Sequence, residues 1–175
     1  MARKIEISPY NPNWPEIYLA EVEKLMPVIG SNLVELHHIG STSVPGLAAK
    51  PTIDILAVVK ALEELDSANP LFEGLGYIPR GENGIAGRRY FNKINGDVHL
   101  FHIHAFQEGH SAINNHLAFR DYLRSHPDVS GEYAELKYTL AEVYRNEPFR
   151  YTDGKDSFIQ EIIEAATVWR NGSSR

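Results

Sequence analysis

The spacing of apolar positions divides the chain into a helical entry, a group of strands and a helical C-terminal third. Ile17, Val22, Leu25, Met26 and Ile29 form an approximate apolar stripe, the recurrence of a helix with one buried face. Asn13 followed by Glu16 has the form of a capping box, and Pro15 sits in the first turn. Pro27 is expected to kink or end this helix. "LVELHHI" reads as a short strand and "TIDILAVV" as a buried strand rich in branched residues. "ALEELDSANPLFEGLGY" reads as a helix broken near Pro70 that closes at Gly74 or Gly76.

The sharpest local signal is "GRRYFNKI-NG-DVHLFHIHAF", two β-like runs around Asn95-Gly96. Asn-Gly suits a two-residue hairpin loop because both residues tolerate positive φ. A loop at those positions pairs Ile94 with Asp97 and Arg89 with His102. One face then carries Arg89, Phe91, Lys93, Leu100, His102 and His104, and the other carries Arg88, Tyr90, Asn92, His99, Phe101 and Ile103. In the last third, "HLAFRDYLRSH" stops before Pro127, "GEYAELKYTLAEVYRNE" follows, and "GKDSFIQEIIEAATVWRN" turns Phe158, Ile159, Ile162, Ile163, Ala166 and Trp169 to one side. A helix, then strands with one intervening helix, then a helical bundle predicts an α+β fold: helices packed on a small mixed sheet. Residues 1–170 are expected to form one domain, with 171–175 as a frayed tail.

Bulk properties narrow the classes of function. A chain of 175 residues buries a sizeable core without staples. There is no cysteine, hence no disulfide and no thiol nucleophile. The N-terminus lacks an apolar signal region and no run reaches membrane-spanning length. A cytoplasmic protein with no membrane partner is therefore expected. The net charge of −6 argues against general affinity for a nucleic-acid backbone. One local exception is "PRGENGIAGRRYFNK", where Arg80, Arg88, Arg89 and Lys93 face Glu82 alone; it is either a solvated strand surface or a site for an anionic ligand.

Candidate chemistry concentrates in "HHIGSTSVPGLAAKPTIDILAVV". Gly40 follows an apolar strand and lets the backbone turn sharply against a phosphate. Ser41, Thr42 and Ser43 offer hydroxyls and backbone N–H groups, and a helix starting at Ser43 or Pro45 would aim more N–H groups at an anion. On the next strand Lys50, Thr52, Asp54 and Leu56 share one face by period two. A carboxylate in so apolar a strand costs several kcal/mol unless compensated, by rough estimate; a metal, an arginine or an edge position has to supply the compensation. Lys50 either pairs with Asp54 or points at a phosphate.

The Gly-Ser turn and the strand "TIDILAV" resemble the core of the nucleotidyltransferase superfamily. More closely, "IGSTSVPGLAAKPTIDI", "HIHAF", "LAFRDYLRSHP" and "FRYTDGKDSFI" resemble the GrpB family over nearly the whole chain. That family also occurs fused to dephospho-coenzyme A kinase. The resemblance implies that Gly40 and Ser41 hold nucleotide phosphates and that Asp54 is one of the metal-binding carboxylates. Thr52 stands where the first carboxylate is expected, and the strand due to supply a third offers histidines. His102 and His104, two apart, either complete a two-histidine, one-carboxylate site with Asp54, which favours Zn²⁺, Mn²⁺ or Fe²⁺ over Mg²⁺, or only hydrogen-bond their neighbours. Arg88, Arg89 and Lys50 are candidates to balance phosphate charge. Lys137 and Lys155 match basic positions of the family's C-terminal helices, Lys155 near a helix start where an anion is favoured. Arg120 and Arg124 either pair with nearby acids or wall the site. His37, His38, His99, His110, His116 and His126 are expected to be surface or structural groups.

Two functions follow as expectations. The first is metal-dependent transfer of a nucleotidyl group from a nucleoside triphosphate to an acceptor, with Asp54 and Ser41 at the reacting centre. The second is a non-catalytic module that binds a nucleotide or another phosphorylated small molecule, linked to coenzyme A metabolism. A folding accessory ranks behind both.

Overall fold

The computed structural model describes residues 4–173. In chain order the elements are α1 (Trp14–Ile29), β1 (Leu33–Ile39), β2 (Ile53–Val59), α2 (Leu62–Ser67), α3 (Asn69–Gly74), β3 (Tyr77–Pro79), β4 (Arg88–Asn95), β5 (Val98–Gln107), α4 (Ser111–Ser125), α5 (Pro127–Val143) and α6 (Pro148–Ser173). The sheet order is β1-β2-β5-β4-β3. β2 and β5 run parallel and the other pairs antiparallel, so the sheet is mixed and the fold is α+β.

β2 is apolar on both sides because both are covered, as a central parallel strand requires. Ile53, Ile55, Ala57 and Val59 join Phe91, Ile103 and Ala105 against Leu25 and Ile29 of α1, Leu65 of α2 and Phe72 of α3. Leu56 and Val58 join Ile39 and Phe106 against Ile113 and Leu117 of α4. Each fully buried aliphatic chain here contributes roughly 2 kcal/mol. The period-two expectation for β2 holds, and Asp54 lies on the α4 side. A further cluster sets Val44 and Leu47 against Leu123, Tyr133 and Ile162 of α4, α5 and α6. It ties the segment after the Gly-Ser turn to the helical bundle.

The hairpin differs from expectation, with consequences for the site. Asn95 pairs with Val98, so the loop is Gly96-Asp97, with Gly96 at φ 60°. Moving the loop by one residue preserves the faces, because it shifts the pairing by two. The register then slips once more between Lys93 and Ile94, where Leu100 is the extra residue. An odd slip reverses which side chains share a face. Arg88, Tyr90 and Asn92 therefore lie opposite Phe106, His104 and His102, whereas Arg89, Phe91 and Lys93 lie opposite Ala105, Ile103 and Phe101.

Other boundaries shift for local reasons. α1 runs through Pro27, which falls in its last turn, and stops at Gly30 with φ 62°. The Asn13 side chain makes no cap; the Asn13 N–H donates to Asn11 Oδ1 at 2.9 Å instead. The buried stripe is Trp14, Glu21, Leu25 and Ile29, while Ile17 and Met26 are exposed. Glu21 is accommodated inside by Lys93 Nζ at 2.9 Å and the Tyr77 hydroxyl at 2.8 Å. α5 and α6 open on Pro127 and Pro148, ahead of the expected starts at Gly131 and Gly154, because proline suits the first helical turn. Helix α6 reaches Ser173, so 171–173 is helical and only the last two residues of the expected tail lie outside the described residues. Among the described residues no helix is long and apolar enough to cross a membrane.

Candidate functional site

The end of β1 and the start of β2 bring the turn onto the acid. Gly40 has φ 71°, and a Cβ built there would lie 2.7 Å from Asp54 Oδ2 and 3.2 Å from Asp54 Cβ. Only glycine fits this backbone against that carboxylate. No α-helix follows the turn. Residues Ser41–Ser43 form a single 3₁₀ turn that leads into Val44. Two of the three hydroxyls expected to meet phosphate brace the turn instead. Ser43 Oγ donates to the Gly40 carbonyl at 2.5 Å. Thr42 Oγ1 bonds His38 Nε2 at 2.9 Å, and Ser41 lies beside Tyr133 of α5. Thr42 and Ser43 are buried, which leaves Gly40 and Ser41 as the part of the turn that can meet a ligand.

Asp54 pairs across the parallel ladder with His102, and Leu56 with His104, so the acid and both histidines share a face. His104 Nε2 lies 3.1 Å and His102 Nδ1 3.5 Å from the same oxygen, Asp54 Oδ1. The Asp54 side chain keeps 28% of its surface accessible, so it is not sealed in the core. Burial pushes its carboxyl up, but the hydrogen bonds and positive charge of His102 and His104 outweigh this and hold it well below the usual carboxylate range. His102 Nε2 continues to His99 Nδ1 at 2.7 Å. Thr52, buried, donates its hydroxyl to the His99 carbonyl at 3.0 Å and takes no place beside Asp54 as a ligand.

A one-carboxylate, two-imidazole set suits Zn²⁺, Mn²⁺ or Fe²⁺ in donor type. The two nitrogen–oxygen separations are close to ligand–ligand edges around an ion with bonds of about 2.1 Å. Among the described residues, no three His, Asp or Glu side chains are grouped to hold a metal ion as placed; both imidazoles are turned onto the carboxylate itself.

The basic candidates separate. Arg88 is buried on the histidine face. Its Nη1 lies 3.5 Å from His104 Nδ1, while Nε and Nη2 donate to the Glu82 and Asn83 carbonyls at 3.1 and 2.6 Å. Arg88 thus clamps the 81–87 loop beside the site. Arg89 lies on the opposite face and grips Asp66 of α2 with two bonds of 2.6 and 3.0 Å. The reversed register removes it from Asp54, which corrects its expected phosphate role. Lys155 is the eighth residue of α6 and not at its start. Its Nζ stands 4.5 Å from the centre of the Tyr151 ring, and Lys50 Nζ stands 5.0 Å from the same centre. Arg120 Nη1 donates to the His38 carbonyl at 3.3 Å and Arg124 Nε to the Ser43 carbonyl at 2.9 Å, so both fasten α4 to the turn.

Two histidines expected to be surface or structural groups belong to this neighbourhood. His38 is buried and stacked 4.8 Å from Tyr18. Burial pushes it down to about 4, against an opposing pull from Asp54. His116 of α4 stands 5.4 Å from the His104 ring and is also pushed down to about 4, by burial first and then by His104. No periodicity in the sequence marks them, because a β1 end and an α4 face meet only in the packed molecule. Two clefts, one between residues 4–8 and α5 and a smaller one beside Lys50, Thr52 and His99, do not contain Asp54.

A mixed five-stranded sheet with a Gly-Ser turn feeding an acid-bearing strand has the nucleotidyltransferase type of fold. The structure of Cid1 in complex with its short product ApU superposes with a TM-score of 0.53 at 16% identity, over 77% of this chain and 42% of that one. At that identity the likeness is one of fold. The chain itself belongs to the GrpB family: residues 4–165 match the family model described as GrpB protein. The conserved protein GrpB from Enterococcus faecalis is 38% identical, with a TM-score of 0.89 over 94% of this chain and 99% of that one. UPF0157 protein YqkA of Bacillus subtilis (strain 168) is 45% identical over 170 residues, 97% of this chain, but the chain spans only 49% of that relative's length.

Proposed function

We propose that the protein transfers a nucleotidyl group from a nucleoside triphosphate to an acceptor hydroxyl. The observation that carries this reading is the contact of Gly40 with Asp54, which joins a phosphate-type turn and an acid in one accessible place. The backbone at Gly40 and Ser41 receives the phosphates. The acceptor oxygen attacks the α-phosphorus, the bond to the bridging oxygen breaks, and pyrophosphate leaves. Asp54, His102 and His104 would hold a divalent cation, which when bound supplies Lewis-acid polarisation of the phosphoryl oxygen. Asp54 is held too far down to take the acceptor's proton. The imidazoles that would hold the cation have no lone pair left for that proton, so it passes to water, and the His102–His99 hydrogen bond fixes the His102 ring.

The test is release of labelled pyrophosphate from each nucleoside triphosphate in Mg²⁺, Mn²⁺ or Zn²⁺. Asp54→Ala is expected to abolish turnover while the far-ultraviolet spectrum stays native; unchanged turnover rejects the assignment. A second reading, binding of a nucleotide or other phosphate ester without chemistry, is favoured by Thr52, whose hydroxyl is committed to a backbone carbonyl. It predicts ligand-induced thermal stabilisation independent of metal, and no pyrophosphate.

A further inference from the structure

Each imidazole beside Asp54 turns an inner nitrogen to the carboxylate and an outer nitrogen to a neighbour. The inner atoms are His104 Nε2, 3.1 Å from Asp54 Oδ1, and His102 Nδ1, 3.5 Å from the same oxygen. An ionised carboxylate only accepts hydrogen bonds, so a neutral ring bonded to Asp54 carries its proton on the inner nitrogen. To hold a cation with that nitrogen, the ring must carry the proton on the outer one, and the outer neighbour must accept it.

The two outer neighbours differ in this respect. His102 Nε2 meets His99 Nδ1 at 2.7 Å. An imidazole can accept or donate, so His102 can free its inner lone pair and keep its outer bond. His104 Nδ1 meets Arg88 Nη1 at 3.5 Å. A guanidinium only donates, so an N–H on His104 Nδ1 would be aimed at another N–H. Arg88 is held in this place. It is 7% exposed, Nε and Nη2 donate to the Glu82 and Asn83 carbonyls, and the guanidinium stands 4.8 Å from the centre of the Tyr90 ring. The 81–87 loop is fastened in turn, with the Gly87 N–H on the Glu82 carboxylate and His110 Nε2 donating to the Ala86 carbonyl at 3.1 Å. Among the described residues Arg88 makes no ion pair, so only neutral groups keep it there. One of the two histidines is therefore ready to be a ligand and the other is withheld.

We propose that Arg88 is a positioning residue that keeps His104 as a hydrogen-bond donor to Asp54, so that His104 joins Asp54 and His102 around a divalent cation only when the guanidinium withdraws and lets go of the 81–87 loop. This rests on the reading that the Asp54 face holds a cation. The first measurement is nitrogen-15 NMR of the imidazoles in the metal-free full chain at mildly alkaline pH. His104 is expected with its proton on Nε2 and a bare Nδ1; a proton on Nδ1 overturns the proposal. The second is titration with Co²⁺ followed by its visible absorption. Arg88→Met is expected to bind Co²⁺ about tenfold or more tightly than the wild type, the scale on which the partners of metal-bound imidazoles act, with a stronger visible band as His104 enters. His104→Gln is expected to cost more affinity in Arg88→Met than in the wild type. Equal affinity in the wild type and folded Arg88→Met, or an equal cost of His104→Gln in both backgrounds, overturns the proposal. The NMR measurement uses the wild type and decides the matter if Arg88→Met does not fold. A chain that shows this coupling yet releases no pyrophosphate from any nucleoside triphosphate upholds the role of Arg88 and rejects the transferase reading.

Discussion

His38 makes the fold sensitive to mild acid. Its ring is enclosed by Tyr18 and Thr42, and the charges facing it are Asp54, which favours its protonation, and Arg124 and Arg120, which oppose it. In the folded chain it titrates at about 4, against 6.5 when free. Between those values the unfolded chain binds the extra proton, so stability falls as pH drops through this window. The gap is worth about 3 kcal/mol when fully expressed below pH 4, and about 2 kcal/mol by pH 5. His116 acts in the same direction over the same window. Urea unfolding at pH 7, 6 and 5 should therefore show the wild type losing about 3–4 kcal/mol, and His38→Gln losing about 2 kcal/mol less over the same interval. Asp54 and Glu21, both held down when folded, lose their contributions only below this interval and leave the comparison clean. If His38→Gln loses as much stability as the wild type between pH 7 and 5, His38 is not buried as a neutral ring and the account fails.

Gly40→Ala places a side chain at positive φ and against the Asp54 carboxylate. Thermal and urea unfolding should show a loss of about 2–3 kcal/mol, partly recovered when Asp54→Ala is added. Lys93→Met leaves Glu21, 2% exposed, with the Tyr77 hydroxyl and the more exposed Lys24. It should cost about 3 kcal/mol at pH 7. Burial pushes Glu21 up, but the hydrogen bonds from Lys93 and Tyr77 outweigh it and hold the group low, so the deficit measured against wild type should shrink as Glu21 protonates on acidification.

The fold was legible because its strongest signals are local. The apolar run of β2 and its period-two faces, the break near Pro70 and the helical last third depend on near neighbours in sequence. The resemblance put Gly40, Ser41 and Asp54 in one site, and the structure sets Gly40 against Asp54. What escaped was set by single residues or by distant packing. Leu100 reversed the faces of the hairpin and sent Arg89 to Asp66, and nothing in the Asn-Gly signal announces a bulge. Helix α4 does stop before Pro127, but Pro127 and Pro148 also open the next two helices, α5 and α6. His38, His116 and Tyr133 join the site through contacts between elements far apart in sequence.

The residues that brace the turn belong to three elements. Thr42 is held by His38 of β1, the Ser43 carbonyl by Arg124 of α4, and Val44 and Leu47 just after the turn pack on Tyr133 of α5. The turn is thus a joint between the sheet and the helical bundle rather than a loop on the surface of either. Whatever docks against it adds a fastening between two layers, so occupancy changes how tightly the helices are held as well as what the site contains.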